Sequence, residues 1–187
     1  MIPIKMKPRF LSVSLVVFLL LVAAVSRIVN AELHLWNFAP VAALGLFSGA
    51  VLKDKRYAYL LPLGAQLLAD LYFQLFTDIP GFYGVSQLFV YAGMALVAAF
   101  GTTMGRPTVA KVSGYALAGS GIFFLVSNLG AYFTGMWGWG VSGLVKTFVM
   151  AVPFYQGTLI GDLVFAALFF GVYALVQQSR ETRVATA

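Results

Sequence analysis

Residues 57–78 read YAYLLPLGAQLLADLYFQLFTD. Twenty-odd residues with no Lys or Arg are long enough for a helix to cross a hydrocarbon core of about 30 Å. Yet Gln66, Asp70, Gln74 and Asp78 recur at intervals of four, which lays them along one slowly drifting face of that helix. Asp70 lies about 20 Å along the helix from Tyr57, at ~1.5 Å per residue. An ionisable side chain at that depth is costly and turns toward the protein interior or a wet cavity.

The rest of the chain has the same character. Of its 187 residues, 61% are hydrophobic and 10% charged, more apolar surface than a soluble domain of this size can bury. Five further apolar segments are legible, giving predicted spans at 10–29, 35–52, 57–77, 85–104, 112–132 and 157–177. In lipid, every backbone polar group must be paired within the protein, so these read as helices. The expected fold is an all-α membrane protein, one domain over 1–187 with six transmembrane helices, since no polar linker separates two units. Residues 141–156 form a shorter apolar stretch with Lys146 and Pro153, read as an outer half-helix or interfacial segment opened by Ser142.

Ten of the twelve Lys and Arg residues fall on one side of this arrangement: Lys5, Lys7, Arg9, Lys53, Lys55, Arg56, Arg106, Lys111, Arg180 and Arg183. Only Arg27 and Lys146 fall opposite. By the positive-inside rule, both termini are cytoplasmic in a bacterial cytoplasmic (inner) membrane, and the lipid bilayer itself accounts for the net charge of +6 without nucleic acid. The N-terminus resembles a signal peptide with Val29-Asn30-Ala31 as a cleavage site, but its apolar run is long for one.

The polar residues of the spans gather toward the other, outer side. Asn128 lies about 24 Å along its helix, and Asp162 about 8 Å from the outer start of the last span. His34, Trp36 and Asn37, then Phe82 and Tyr83, then Trp137 and Trp139 occupy the outer loops. Aromatic rings with a few convergent polar groups fit a pocket for a small, flat, polar ligand. The candidate ligand-binding set is His34, Trp36, Asn37, Asp70, Gln74, Asn128, Trp137, Trp139 and Asp162. Structural readings stay open beside it: interfacial belts account for Trp and Tyr, Asp70 pairs with Arg27 or Lys146, and Asp162 caps a helix. Two acids among few outer cations favour a ligand with donors or a positive charge.

No catalytic machinery is legible, and the chain is not expected to be an enzyme. Gly119-Ser120-Gly121 has no base, because the one histidine, His34, falls in another segment. With one His and no Cys, neither a zinc site nor any other metal or cofactor is expected. Lys146-Thr147 lacks the glycine-rich loop of a phosphate-binding motif. Ala39 and Ala43, then Gly45 and Gly49, are small residues spaced by four, a pattern that packs helices within a chain or docks a partner.

The run NFAPVAALGLFSGA at 37–50, with Ser127-Asn128, Gly143-Leu144, Val152-Pro153-Phe154 and Gly161-Asp162 after it, resembles an uncharacterised bacterial six-helix transport family. That group in turn is similar to the substrate-binding S-components of energy-coupling-factor (ECF) vitamin transporters, over about residues 35–175. The resemblance implies a protein that captures a vitamin-like micronutrient from outside. It then docks on a membrane scaffold subunit with two ATPases, through small residues that would match Ala39, Ala43, Gly45 and Gly49. Two other readings remain: a stand-alone proton-coupled secondary transporter using Asp70 or Asp162, and a non-transport membrane scaffold.

Overall fold

The computed structural model describes residues 13–185 except Trp36. Among these it contains six helices and no strand: α1 (Val13–Glu32), α2 (Val41–Val51), α3 (Lys55–Phe76), α4 (Val85–Gly101), α5 (Val109–Tyr132) and α6 (Gly140–Ala185). Two stretches, Val109–Tyr132 and Gly140–Gln178, are long and apolar enough to cross a membrane. Large apolar side chains are exposed along the helices, among them Phe18, Leu60, Leu75, Leu88, Leu125, Val149 and Leu175. The predicted tract at 10–12 lies outside the described residues.

The short helix α2 is the hub, packing against each of the other five. Ala42, Ala43, Leu44, Leu46, Phe47 and Ser48 are almost completely buried. Phe47 sets its ring 5.3–6.0 Å from those of Phe169, Phe170 and Tyr173 on α6. An 11-residue helix is roughly 16 Å long, half the ~30 Å of a hydrocarbon core. The expected span at 35–52 is therefore shortened at its start. Residues 33–40 form a loop instead, with His34 and Asn37 in the left-handed region and Pro40 at the helix boundary.

Burying both ends of a short helix creates a problem, because its first N–H and last C=O groups have no partners within it. Pro40 at the N-cap supplies no side-chain acceptor. Asp162, from the middle of α6, fills that role: its Oδ1 accepts from the amides of Ala42 at 2.8 Å and Ala43 at 3.1 Å. At the other end, Lys55 Nζ donates to the carbonyls of Gly49 at 2.8 Å and Leu52 at 3.1 Å. The helix thus has an anion at its positive end and a cation at its negative end, the stabilising arrangement for its dipole. Gly161 lets α6 come this close, since a Cβ there would lie 3.1 Å from the Ala39 nitrogen.

A third tie follows from Pro62 inside α3. Proline has no amide hydrogen, so the carbonyl four residues back, that of Ala58, loses its helical donor. Ser48 of α2 replaces it, its Oγ donating to the Ala58 oxygen at 2.7 Å.

The small residues expected to dock a partner are consumed in this packing. Ala39 lies in the loop rather than on the helix, and Ala39, Ala43, Gly45 and Gly49 are all buried. A Cβ on Gly49 would overlap the Ala98 carbonyl of α4, and one on Gly45 would stand 3.2 Å from Val97 Cγ1. That face is an internal contact between α2 and α4, so it presents no surface to another subunit.

The stretch 141–156 is likewise not separate. It runs without a break into the sixth segment, making α6 a single helix of 46 residues, roughly 70 Å long. Pro153 removes only the amide that would reach the Val149 carbonyl, which local adjustment accommodates.

Candidate functional site

The loops 33–40, 77–84 and 133–139 gather at one end of the bundle. Lys53 and Arg106 in loops, Lys55 and Arg56 at the start of α3 and Lys111 at the start of α5 lie at the other. A cavity of about 840 Å³ opens at the end away from those basic residues. Its walls come from the last turns of α1, the outer half of α3, the start of α4, the second half of α5 and residues 147–158 of α6.

Asp70 closes one wall and is 1% exposed. Arg27 of α1 donates to its Oδ1 from Nη2 at 3.3 Å, and Gln66 donates from Nε2 to both oxygens at 3.0 and 3.2 Å. Gln87 Nε2 and Tyr91 Oη of α4 each donate to Oδ2 at 3.0 Å. Gln66 also accepts from Arg27 Nη1, so the polar stripe of α3 is cross-braced to α1 and α4. Partly buried Tyr83 lies beside this group. Burial first, and the Asp70 carboxylate second, push its phenol up from the usual tyrosine range, so it stays a neutral hydroxyl.

Aromatic rings cover much of the remaining wall: Phe73, Phe123, Phe124, Trp137, Phe154 and Tyr155. Phe124 and Tyr155 lie 4.6 Å apart, centroid to centroid. Outside the lining, Lys146 Nζ stands 5.0 Å over the ring of the lining residue Trp137, a cation–π contact between α6 and the preceding loop.

Of the residues expected at a ligand site, His34, Asn37, Asp70, Asn128 and Trp137 line this cavity together. Asn128 also donates to the Phe124 carbonyl at 2.8 Å, which fixes its side chain against α5. Three residues fall elsewhere. Gln74 is exposed and its Oε1 accepts from the Phe82 amide at 3.3 Å, tethering the 77–84 loop. Trp139 is 65% exposed and lies edge-on to Tyr132. Asp162 is fully buried at the start of α2, outside the cavity lining. Trp36 lies outside the described residues.

Several lining residues were not singled out from the sequence. Arg27, read there as a possible partner of Asp70, is itself part of the wall. Thr147, Met150, Ala151 and Thr158 line it because α6 is continuous. Their spacing of three, four or seven along 147–158 was the available signal, since those intervals share one helix face. Among the described residues, no three His, Cys, Asp or Glu side chains converge to hold a metal ion.

Residues 6–184 match the model of a family of unknown function, DUF6580, and the chain belongs to that family. No curated protein and no solved structure matches the chain.

Proposed function

We propose that this member of the DUF6580 family is a multi-pass bacterial inner-membrane protein that binds a small micronutrient-like ligand from outside and takes part in its uptake. In this reading the helices span the membrane with both termini in the cytoplasm. The basic residues then face inward and the cavity faces outward. The observation that carries the reading is the cavity itself: about 840 Å³, open at the end away from the basic residues, and lined by rings with a few polar groups. Its volume falls within the ~300–1,000 Å³ common for small-molecule sites. With no phosphate-binding motif in the chain, energy for uptake comes from a partner ATPase module, as in the S-components that the sequence resembles. The small-residue face of α2 is not the surface that meets this module, and the scaffold docks on another.

The stand-alone proton-coupled reading is weaker on two observations. Asp70 lines the cavity with its oxygens already taken by four donor side chains, and Asp162 contacts α2 rather than the cavity. A proton carrier must exchange its proton with the transport path.

Thermal denaturation of the purified protein in detergent tests the proposal, against a panel of vitamins, their precursors, nucleobases and polyamines. A ligand of the folded state stabilises it by about 2.7 kcal/mol at 100 times its Kd, and so raises the melting temperature by an amount that grows with ligand concentration. The shift should shrink in Asn128→Ala. A panel without a concentration-dependent shift removes the binding reading.

A further inference from the structure

Resting on that binding reading, the charge of the ligand follows from how the cavity's ionised groups are engaged. Among the described residues, Asp70 is the only acid in the lining. Its two oxygens already accept five hydrogen bonds from Arg27, Gln66, Gln87 and Tyr91, against about four lone-pair sites on a carboxylate. It has no capacity left for a ligand donor. The sequence, by its count of acids, favoured a ligand with donors or a positive charge; the engagement of Asp70 points instead to the free donors of Arg27.

Arg27 is in the opposite condition. One N–H of Nη2 goes to Asp70 and one of Nη1 goes to Gln66. A guanidinium has five N–H donors, and among the described residues the other three have no partner. The side chain is 22% exposed and lies in the cavity wall. Unused N–H groups of a guanidinium in a sheltered place are complementary to two coplanar oxygens, and an arginine fork holds a carboxylate at both. Lys146, over the ring of the lining residue Trp137, adds a second positive charge nearby. The space between is bounded by Tyr83, Phe123, Phe124 and Tyr155, flat surfaces that favour a ring.

We infer that the cavity takes a small aromatic or heteroaromatic carboxylate, its anionic group held by Arg27 and its ring packed among the aromatic side chains. Lys146 over Trp137 attracts the anion on approach, and Asp70 acts as the brace that aims the guanidinium.

Matched pairs differing in charge test this. The protein is titrated with nicotinate and nicotinamide, with 4-aminobenzoate and 4-aminobenzamide, and with benzylamine as a cationic control. Melting temperature and calorimetry are the readouts. The acid of at least one pair should bind at least 10-fold more tightly than its amide. Arg27→Lys keeps the charge beside Asp70 and so should melt near the parent protein without ligand, yet bind that acid at least 10-fold more weakly. Lys146→Met should weaken it by a smaller factor that fades at high salt. An amide or amine that binds as well as the acids, with Arg27→Lys unaffected, overturns the carboxylate inference and leaves the binding reading intact. A shift from phosphatidylglycerol in place of the acids assigns the guanidinium to a lipid phosphate and overturns it also. Silence from these probes and from the wider panel removes both.

Discussion

The two ends of α2 and the wall of the cavity are both built from charged groups in apolar surroundings, but they use them differently. At α2, Asp162, Lys55 and Ser48 reach across to backbone atoms of other segments. Each completes a hydrogen bond that a helix end or a proline left open. In the cavity wall, Asp70, Arg27, Gln66, Gln87 and Tyr91 bond to one another, and part of Arg27 stays unused. The first pattern stabilises a fold, because removing a side chain strands a buried amide or carbonyl. The second pattern holds a side chain in position while leaving it able to bind something else. Two aspartates that look alike in the sequence thus do different work.

The largest effect should come from Asp162→Ala, which leaves two amides at the buried start of α2 without an acceptor. A loss of about 3 kcal/mol is expected, since each stranded buried group costs ~1–3 kcal/mol. Asp162→Asn keeps an oxygen for those amides and should recover most of the loss in thermal melts. Equal damage from both substitutions would mean that the negative charge, not the acceptor, holds the helix.

Next comes Asp70→Asn, at about 1–2 kcal/mol, because Arg27 is partly exposed and keeps Gln66 as a partner. A loss greater than that of Asp162→Ala would break the contrast and make the cavity wall the structural centre.

Ser48→Ala should cost about 1 kcal/mol, the typical worth of one hydrogen bond. Its loss should be smaller in a Pro62→Ala background, where residue 62 regains an amide for the Ala58 carbonyl. A double-mutant cycle measures this coupling, and strict additivity would disconnect Ser48 from the proline.

The smallest effect concerns Tyr83. Its phenol is raised in the folded protein, so the folded state holds that proton more tightly than the unfolded chain does. The resulting stabilisation is complete below the unfolded value near 10 and is lost as pH rises through the folded value. Tyr83→Phe should therefore lose less melting temperature than the parent between about pH 9 and pH 11. Parallel curves would take Tyr83 out of the group around Asp70.

Much of this contrast could be read before the structure, and some could not. Six helical segments were legible because apolar runs bounded by Gly, Pro and charged residues leave few alternatives. The α3 stripe was legible in its first half: Gln66 and Asp70 share a buried face, whereas Gln74 is exposed and Asp78 lies past the end of the helix. The start of α2 was not, since Leu35, Trp36, Phe38 and Ala39 extend the apolar run upstream, and the signals that end it, Asn37 in the left-handed region and Pro40 at the boundary, are single residues. The continuity of α6 was hidden by Pro153, a residue that ends some helices and is carried within others. The role of Asp162 was hidden for a different reason: a cap supplied from another helix leaves no local pattern. The candidate site was legible as a collection of outer polar and aromatic residues. Its use of Arg27 depends on which donors Asp70 collects, and that is decided only in three dimensions.

The tie between Ala42 and Asp162 joins residues 120 positions apart. Synthesis proceeds from the N-terminus, so α2 leaves the ribosome long before the residue that finishes it. Until α6 arrives, two amides at one end of the hub are open and five neighbours have yet to settle around it. The element most deeply enclosed in the finished protein is thus among the earliest made and the last completed. A nascent chain halted before residue 162 would display a bundle whose centre is still waiting for its lock.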